Sequence, residues 1–163
     1  MKTCQPDIRD AFKEVMANVA SPVSIVTTFD GETPFGTTVS AFSSLSMNPP
    51  MVLVCLDRRS DTLASVQASG RFGLNILGSN QTDTAMTFAK KGTDKFHGTH
   101  WDVHDGLPRV AEAPGWVACT VTDFIEGGDH LIAVGAVETA ELTDGRPLVY
   151  HRRLFGTHAP QGS

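Results

Sequence analysis

The most unusual stretch of the sequence is a run of small and hydroxyl-bearing residues between Gly36 and Ser46. Six of the ten residues 37–46 are Ser or Thr, and the segments on either side are apolar. Small side chains let a flat ligand approach the backbone, and amides and hydroxyls can hydrogen-bond the edge of a polar heteroaromatic ring. The alternative is a Ser/Thr-rich turn at a sheet edge, and composition alone favours that alternative.

A second candidate site is the segment Arg58-Arg59-Ser60-Asp61-Thr62. The pattern predicts a helix that begins at Ser60 directly after a buried strand. Free amide N–H groups, two hydroxyls and two guanidinium groups would then converge, which favours a phosphate. Lys95 and Phe96, in a predicted loop, could add one more cation. The alternative is a plain Ser N-cap with solvated arginines.

The histidines offer two further possibilities. His130 precedes a predicted strand among acidic neighbours, so its imidazole could titrate near neutrality. A turn histidine without a role is the alternative. His97, His100 and His104 have a spacing that could place three imidazoles on one helical face, as in a zinc site. Glycines and a proline surround them, so the sequence predicts a solvated loop there and no metal.

Other common functional motifs are absent from the sequence. No Gly-x-Gly-x-x-Gly follows a predicted strand, which argues against the usual dinucleotide-binding fold. Gly31 and Gly36 have the spacing of a phosphate loop, but Thr37 stands where that loop requires Lys. The three Cys are too far apart for a metal or disulfide framework, and Cys55 and Cys119 are predicted to be inert core residues.

Composition limits the class of protein. The 163 residues predict one domain over 1–163, with an ordered core at about 8–157 and a tail at 158–163. A net charge of −5 gives no reason to expect nucleic-acid binding. The longest apolar runs, at 51–56 and 131–137, are too short to span a bilayer, and no signal segment is recognisable. We therefore expect a cytoplasmic protein with no membrane contact.

The hydrophobic pattern predicts a mainly β protein. An amphipathic helix runs from Ile8 to Val19, and two short helices follow at about 60–69 and 82–89. Strands are predicted at 23–28, 35–42, 51–56, 72–76, 116–125, 131–138 and 147–155. Strands do not alternate regularly with helices, so we expect a closed or nearly closed β-barrel with peripheral helices.

Taken together and in this order, these segments resemble the flavin reductase family, the small reductase components of two-component flavin monooxygenases. The resemblance extends from about Phe12 to Phe155. The matching stretches are Pro22–Thr28, Gly36–Ser46 with Pro49-Pro50, Ser60-Asp61-Thr62, Phe72–Leu77, Lys95-Phe96, Gly128-Asp129-His130 with Gly135, and Pro147–Tyr150.

The resemblance implies an FMN-binding split β-barrel that forms a homodimer, binds FMN or FAD and reduces that flavin with NADH or NADPH. It also implies a partner monooxygenase that receives the reduced flavin. The residues implied to line the isoalloxazine ring are Thr38, Val39, Ser40, Ala41, Ser43 and Ser44. Those implied to hold the ribityl phosphate are Leu56, Ser60 and Thr62, with Lys95 and Phe96 nearby. His130 would lie by the nicotinamide, and Tyr150 would contribute to the pocket, although Phe155 stands where the family often has an aromatic hydroxyl.

The expected chemistry is hydride transfer from nicotinamide C4 to flavin N5, which the protein promotes by positioning the two rings. Backbone amides near 39–41 would stabilise the charge that arrives on the flavin, and His130 would orient the nicotinamide amide or supply a proton. Two alternatives remain: a split barrel that binds flavin or haem without turnover, and a reaction like that of pyridoxamine-phosphate oxidase. The sequence does not choose between FMN and FAD, or between NADH and NADPH.

Overall fold

β-strands make up most of the regular structure in the computed structural model, which describes residues 7–92 and 94–162. The helices within these residues are α1 (Ile8–Ala17), α2 (Asp61–Ser69) and α3 (Thr82–Ala89). The strands are β1 (Ser21–Pro22), β2 (Ser24–Asp30), β3 (Thr33–Val39), β4 (Phe42–Met47), β5 (Pro50–Asp57), β6 (Arg71–Ile76), β7 (Trp101–His104), β8 (Leu107–Val110), β9 (Gly115–Gly127), β10 (His130–Leu142), β11 (Val149–His151) and β12 (Leu154–Gly156).

Seven of the strands form one antiparallel sheet in the order β3-β2-β6-β9-β10-β5-β4. The two edge strands, β3 and β4, are joined by only two residues, Ser40 and Ala41. A flat sheet of seven strands would hold its edges about 29 Å apart, whereas the link from Val39 to Phe42 spans at most about 11 Å. The sheet must therefore curl until its edges approach each other, and this makes it a split barrel.

Hydrogen bonds anchor each end of this link to the neighbouring strand. The Cys55 backbone N–H donates to the Ala41 carbonyl oxygen at 2.9 Å. On the other side, the Ser24 hydroxyl donates to the Val39 carbonyl oxygen at 2.8 Å. The short link is thus held in place on both sides, and the mainly β split-barrel prediction is confirmed.

Apolar residues on the two faces of the curled sheet form two separate cores. Ile25 and Val26 are adjacent in β2 and fully buried, so this strand is covered on both faces. Val26 belongs to the interior cluster, which also holds Leu63 and Val66 of α2 and Phe72 of β6. Ile25 belongs to the second cluster, where the sheet packs against α3. Helix α2 thus packs in the interior cluster, and α3 packs on the opposite face of the sheet.

Three segments differ from the sequence prediction. The predicted strand 35–42 ends at Val39, because the chain must cross to the opposite edge. The predicted loop near His104 is a β7–β8 hairpin, whose Asp105-Gly106 turn has φ values of 52° and 74°, as a two-residue type I′ turn requires. The predicted strand 147–155 is a β11–β12 hairpin that turns at Arg152-Arg153, where neither residue gives the usual Gly or Asn signal of a turn.

The first helix is amphipathic, but its apolar face is not covered by the residues that the structure describes. None of the ten residues of α1 is buried, and Ile8 and Phe12 are 82% and 61% exposed. The helix is held to the β11–β12 hairpin through polar groups, since the Arg152 backbone N–H donates to the Ala17 carbonyl oxygen at 2.8 Å. No helix among the described residues has the length and hydropathy needed to cross a membrane.

Candidate functional site

A cavity of about 630 Å³ opens where the β3 edge faces the junction of β5 and α2. The segment 33–37 of β3 forms one wall, and Asp57 with residues 59–62 forms the second. The end of α3 and the loop after it, residues 89–92 and 94–96, form the third. A cavity of this volume is within the range of small-molecule sites. It brings together four of the predicted binding residues, Ser60, Thr62, Lys95 and Phe96.

The start of α2 presents polar groups to this cavity. Ser60 is the N-cap residue, as the sequence predicts, but its side chain makes no capping hydrogen bond. Thr62 is only 3% exposed and lines the cavity. Neither hydroxyl has a hydrogen-bond partner within the described part of the chain. Because the first amides of a helix lack partners inside the helix, this end of α2 is suited to an anion.

Arg59 lines the cavity beside the helix start and is paired with Asp57 at the end of β5. Its Nε and Nη2 atoms donate to the two carboxylate oxygens of Asp57 at 3.1 and 2.9 Å. The Arg59 backbone N–H also donates to Asp57 Oδ1 at 2.8 Å. These bonds hold the pKa of Asp57 far below its usual range and raise that of Arg59. The guanidinium is therefore charged and held at the cavity rim.

Arg58 differs from the sequence prediction that two guanidinium groups converge on the helix start. Its Nε donates to the Gly128 carbonyl oxygen at 2.9 Å, and its Nη2 lies 3.3 Å from Glu126 Oε1. Successive residues leave a chain on different sides, so Arg58 contacts the β9–β10 hairpin while Arg59 lines the cavity. Only one of the two arginines lines the cavity.

Lys95 and Phe96 form the part of the wall that follows α3. The Lys95 ammonium donates to the carbonyl oxygens of Gly36 and Phe88 at 3.1 and 3.0 Å. Burial lowers the pKa of Lys95. The Phe96 ring is buried and meets the Phe88 ring edge-on, with centroids 4.9 Å apart. Both residues line the predicted site, but Lys95 already has two backbone partners.

The hydroxyl-rich segment begins at the cavity and then leaves it. Thr37 lines the cavity, whereas the Thr38 hydroxyl donates to the Ala85 carbonyl oxygen at 2.6 Å. Val39 is buried in the barrel core. Ser40 and Ala41 form the exposed link between the sheet edges, and Ser43 and Ser44 are exposed on β4. Residues 38–44 therefore continue the cavity wall along the barrel surface and do not line the cavity itself.

Two other predicted residues also lie outside the cavity lining. The Leu56 side chain is 1% exposed in the barrel core, because strand alternation turns Leu56 inward and Asp57 towards the cavity. Tyr150 lies on β11, where its ring contacts Phe155 at a centroid distance of 5.0 Å. Leu56 can reach a ligand at this cavity only through its backbone.

His130 begins β10 and is paired with Asp57 across the sheet. Directly opposite residues of an antiparallel pair share a face, so His130 lies beside the carboxylate that holds Arg59. His130 Nδ1 is 2.8 Å from Asp129 Oδ1, a contact that lowers the pKa of Asp129. An ionised carboxylate only accepts, so Nδ1 carries a proton and Nε2 is available for another partner. His130 does not line the cavity; it lies next to its rim.

The three histidines of the zinc alternative do not share a helical face. His97 lies in an exposed turn, whereas His104 lies on β7. His104 Nε2 is 2.8 Å from Glu141 Oε1, which together with Asp105 forms a compact polar group. Glu141 also accepts from Arg109 at 2.7 Å, and Asp105 accepts from the Trp116 indole at 2.9 Å. These contacts join the β7–β8 hairpin to the sheet.

Several cavity-lining residues are missing from the sequence prediction, chiefly Thr37, Asp57, Lys90, Lys91 and Asp94. The alternation of β5 would have identified Asp57, since it follows the inward-facing Leu56. The spacing Asp57-x-Arg59 is also typical of an Asx turn that pairs the two side chains. No local signal marks the lysines, because they reach the cavity only through the packing of α3 on β3.

An antiparallel split barrel with a nucleotide-sized cavity at a helix start defines a class of small nucleotide-binding proteins, and the comparisons specify the family. Residues 16–159 match the family model of the flavin reductase like domain. The chain belongs to this family and is a flavin oxidoreductase. The family resemblance seen in the sequence is thus confirmed.

Individual relatives agree with this assignment. The reductase component of a 4-nitrophenol 4-monooxygenase/4-nitrocatechol 2-monooxygenase from Rhodococcus opacus is 42% identical over 156 residues, which cover 96% of this chain and 84% of that protein. A solved homologue of nitrilotriacetate monooxygenase component B from Mycobacterium thermoresistibile superposes with a TM-score of 0.90 at 31% identity, covering 96% of this chain and 89% of that one. An NADH:FAD oxidoreductase from Streptomyces globisporus, solved with NAD and FAD fragments, gives a TM-score of 0.90 at 28% identity and full coverage of both chains.

Proposed function

We propose that this flavin reductase binds FMN or FAD with the flavin phosphate at the start of α2 and the ring along residues 38–44. The observation that carries the proposal is Thr62, a residue only 3% exposed that lines the cavity and whose hydroxyl stays accessible and makes no hydrogen bond to other described residues. The free N-cap hydroxyl of Ser60 and the Arg59 guanidinium lie at the same end of the cavity. A phosphate would accept from all three.

The proposed ring site follows from the course of the chain after Thr37, the last residue of β3 that lines the cavity. The segment 38–44 leaves the cavity with small side chains and an exposed backbone at Ser40 and Ala41. Its contribution to a flat ring would come from backbone amides and the exposed Ser hydroxyls, since Val39 faces the core and Thr38 is bonded to α3. The flavin supplies a hydride acceptor, and this part of the chain orients it.

His130 is the proposed catalytic residue, beside the nicotinamide of NADH or NADPH. Asp129 fixes the imidazole through Nδ1, so Nε2 is held ready to accept from the carboxamide of the nicotinamide. His130 lies opposite Asp57, a residue that lines the cavity, and is therefore next to the cavity rim. We propose that His130 orients the dihydropyridine and leaves the hydride step to the two rings.

The proposed recipient of the reduced flavin is a partner monooxygenase. Relatives named as reductase components of such enzymes support this assignment, including the Rhodococcus opacus protein. Relatives differ in the cofactors that their names state: one from Lentzea aerocolonigenes, 34% identical over 154 residues, is called a flavin reductase (NADPH). We therefore propose both nicotinamides and both flavins as candidate substrates.

A steady-state assay that crosses FMN and FAD with NADH and NADPH tests the proposed function. We expect loss of the NADH or NADPH absorbance band that depends on added flavin, with one combination preferred. The matched control omits flavin. If flavin is a substrate that the protein releases after reduction, no turnover should occur without it. Flavin binding without any nicotinamide oxidation, in all four combinations, would instead favour the split barrel that binds its ligand without turnover.

We also propose that the protein is a homodimer in which a second copy covers the apolar face of α1. An uncovered apolar face of this extent is typical of an interaction site. We expect sedimentation equilibrium to give twice the 17.5 kDa mass of one chain. Phe12→Asp should shift the mass towards a single chain, because a charge on this face would have to be buried. Lys13→Gln, on the exposed side of the same helix, should leave the dimer intact, and a wild-type mass of one chain would contradict the proposal.

A further inference from the structure

Lys95 makes the contacts of a structural clamp. Its ammonium donates to the carbonyl oxygen of Gly36, which lines the cavity on β3, and to that of Phe88 in α3, directly before the α3 end that forms another wall. The last turn of α3 contains no basic residue. A cation at a helix C-terminus stabilises the unpaired carbonyls there, and Lys95 supplies that cation from the following loop. Two of its three N–H groups are thus committed to the protein.

The two walls that Lys95 joins are also closely packed. A Cβ atom on Gly36 would lie 2.8 Å from Phe88 Cε1 and 3.3 Å from Phe96 Cζ. The absence of a side chain at Gly36 therefore lets β3 approach α3 closely enough for one ammonium to reach both carbonyls. This contact fixes how closely β3 and α3 approach each other, and β3 and the end of α3 form two of the three cavity walls.

Arg59 differs from Lys95, because its guanidinium is exposed in the cavity and is not bonded to any backbone carbonyl that the structure describes. Its side chain is 74% exposed, and Asp57 holds it by Nε and Nη2 only. It lines the cavity at the start of α2, beside Ser60 and Thr62. A guanidinium held in this way can offer its remaining N–H groups to phosphate without losing its support.

We propose that Lys95 is a positioning residue that sets the width of the flavin cavity through the Gly36 and Phe88 carbonyls, while Arg59 and the start of α2 recognise the flavin phosphate. The inference rests on the proposed function, since it assigns roles within the proposed flavin site. It assigns Lys95 and Arg59 different contributions to flavin binding, whereas the sequence alone suggests that both cations bind the phosphate. It predicts that the two cations respond differently when the phosphate is removed from the ligand.

Equilibrium titration with FMN and with riboflavin, which lacks the phosphate, separates these roles. Lys95→Met should weaken the binding of both flavins by a similar factor of about tenfold, because both need the same cavity width. Arg59→Met should weaken FMN about tenfold and leave riboflavin within about twofold. Lys13→Gln, which removes a lysine charge from α1, should change neither affinity.

Steady-state kinetics distinguish positioning from a loss of folded protein. Lys95→Met should raise the KM for FMN and for riboflavin with kcat within about twofold, whereas partial unfolding would lower kcat at constant KM. Lys95→Arg, which can still donate to two carbonyls, should recover most of the affinity for both flavins. If Lys95→Met fails to fold, Lys95→Gln allows the same comparison of FMN and riboflavin affinities, because its shorter side chain keeps an N–H donor but removes the charge.

Two results would overturn the inference. The first is a Lys95 variant that loses affinity for FMN but not for riboflavin, since Lys95 would then be a phosphate ligand. The second is a Lys95 variant with unchanged affinity for both flavins. Either result leaves the proposed function intact if the wild-type protein still reduces FMN. Absence of flavin binding and reduction in the wild-type protein would instead contradict the proposed function.

Discussion

Replacing His130 with alanine is expected to lower the rate of hydride transfer about tenfold to hundredfold, with flavin affinity changed less than about twofold. His130 lies beside the cavity rim and does not line it, so a flavin seated at α2 loses no contact there. The nicotinamide loses the group that orients it. Small errors in the placement of two rings reduce hydride transfer steeply, because the reacting atoms must approach within about 3–3.5 Å.

Single-turnover reduction followed by stopped-flow absorbance measures this effect directly, and fluorescence titration measures the flavin affinity. His97→Ala is the matched control, because His97 lies in an exposed turn outside the cavity lining. Asp129→Asn should reduce the rate less than His130→Ala, since the amide still holds Nδ1 but with a weaker bond. A His130→Ala protein that reduces flavin at the wild-type rate would remove His130 from the mechanism.

The sequence was informative at the two ends of α2, where the signal is local. Helix α2 begins after Ser60 and ends at Gly70, which has a φ of 69° in the left-handed region. Both residues are common at the ends of helices for reasons that involve only the nearest backbone groups. Local reasoning also predicted a phosphate site at the start of α2, and four of the five residues that the family resemblance implied at or near it line one cavity. Leu56 is the exception, because strand alternation turns it into the core.

The remaining features of the site depend on contacts between distant segments. The cavity exists because β3, α2 and the loop after α3 meet, and residues 36 and 95 come together only in the folded barrel. The pairing of His130 with Asp57 likewise depends on the register of β10 and β5. Composition cannot indicate such partners, so the sequence identified Lys95 as a cation near the site without showing that backbone carbonyls already hold it.

Gly73→Ala is expected to cause a large loss of stability, although it adds only one methyl group. Gly73 lies in β6, between β2 and β9 in the sheet. A Cβ atom there would lie 2.3 Å from Trp116 Cη2 and 2.9 Å from Thr27 Oγ1. Neither neighbour can easily move, since Trp116 is fully buried and its indole N–H is bonded to Asp105. We expect the free energy of unfolding to fall by about 3 kcal/mol.

A thermal melt gives the first measurement, with Tm lowered by about 6–12 °C for a protein of this size. Gly156→Ala is the matched control, because its Cβ atom would have nothing within 4 Å and should change stability by less than about 0.5 kcal/mol. Trp116→Leu in the Gly73→Ala background separates a local clash from a general weakness of the strand. If the clash is the cause, the smaller leucine makes room for the new methyl, and the double mutant is more stable than the sum of the two single effects by about 1 kcal/mol or more. Strict additivity would mean that Trp116 does not constrain Gly73, whereas an unchanged Tm of Gly73→Ala alone would mean that the central strand tolerates the added side chain.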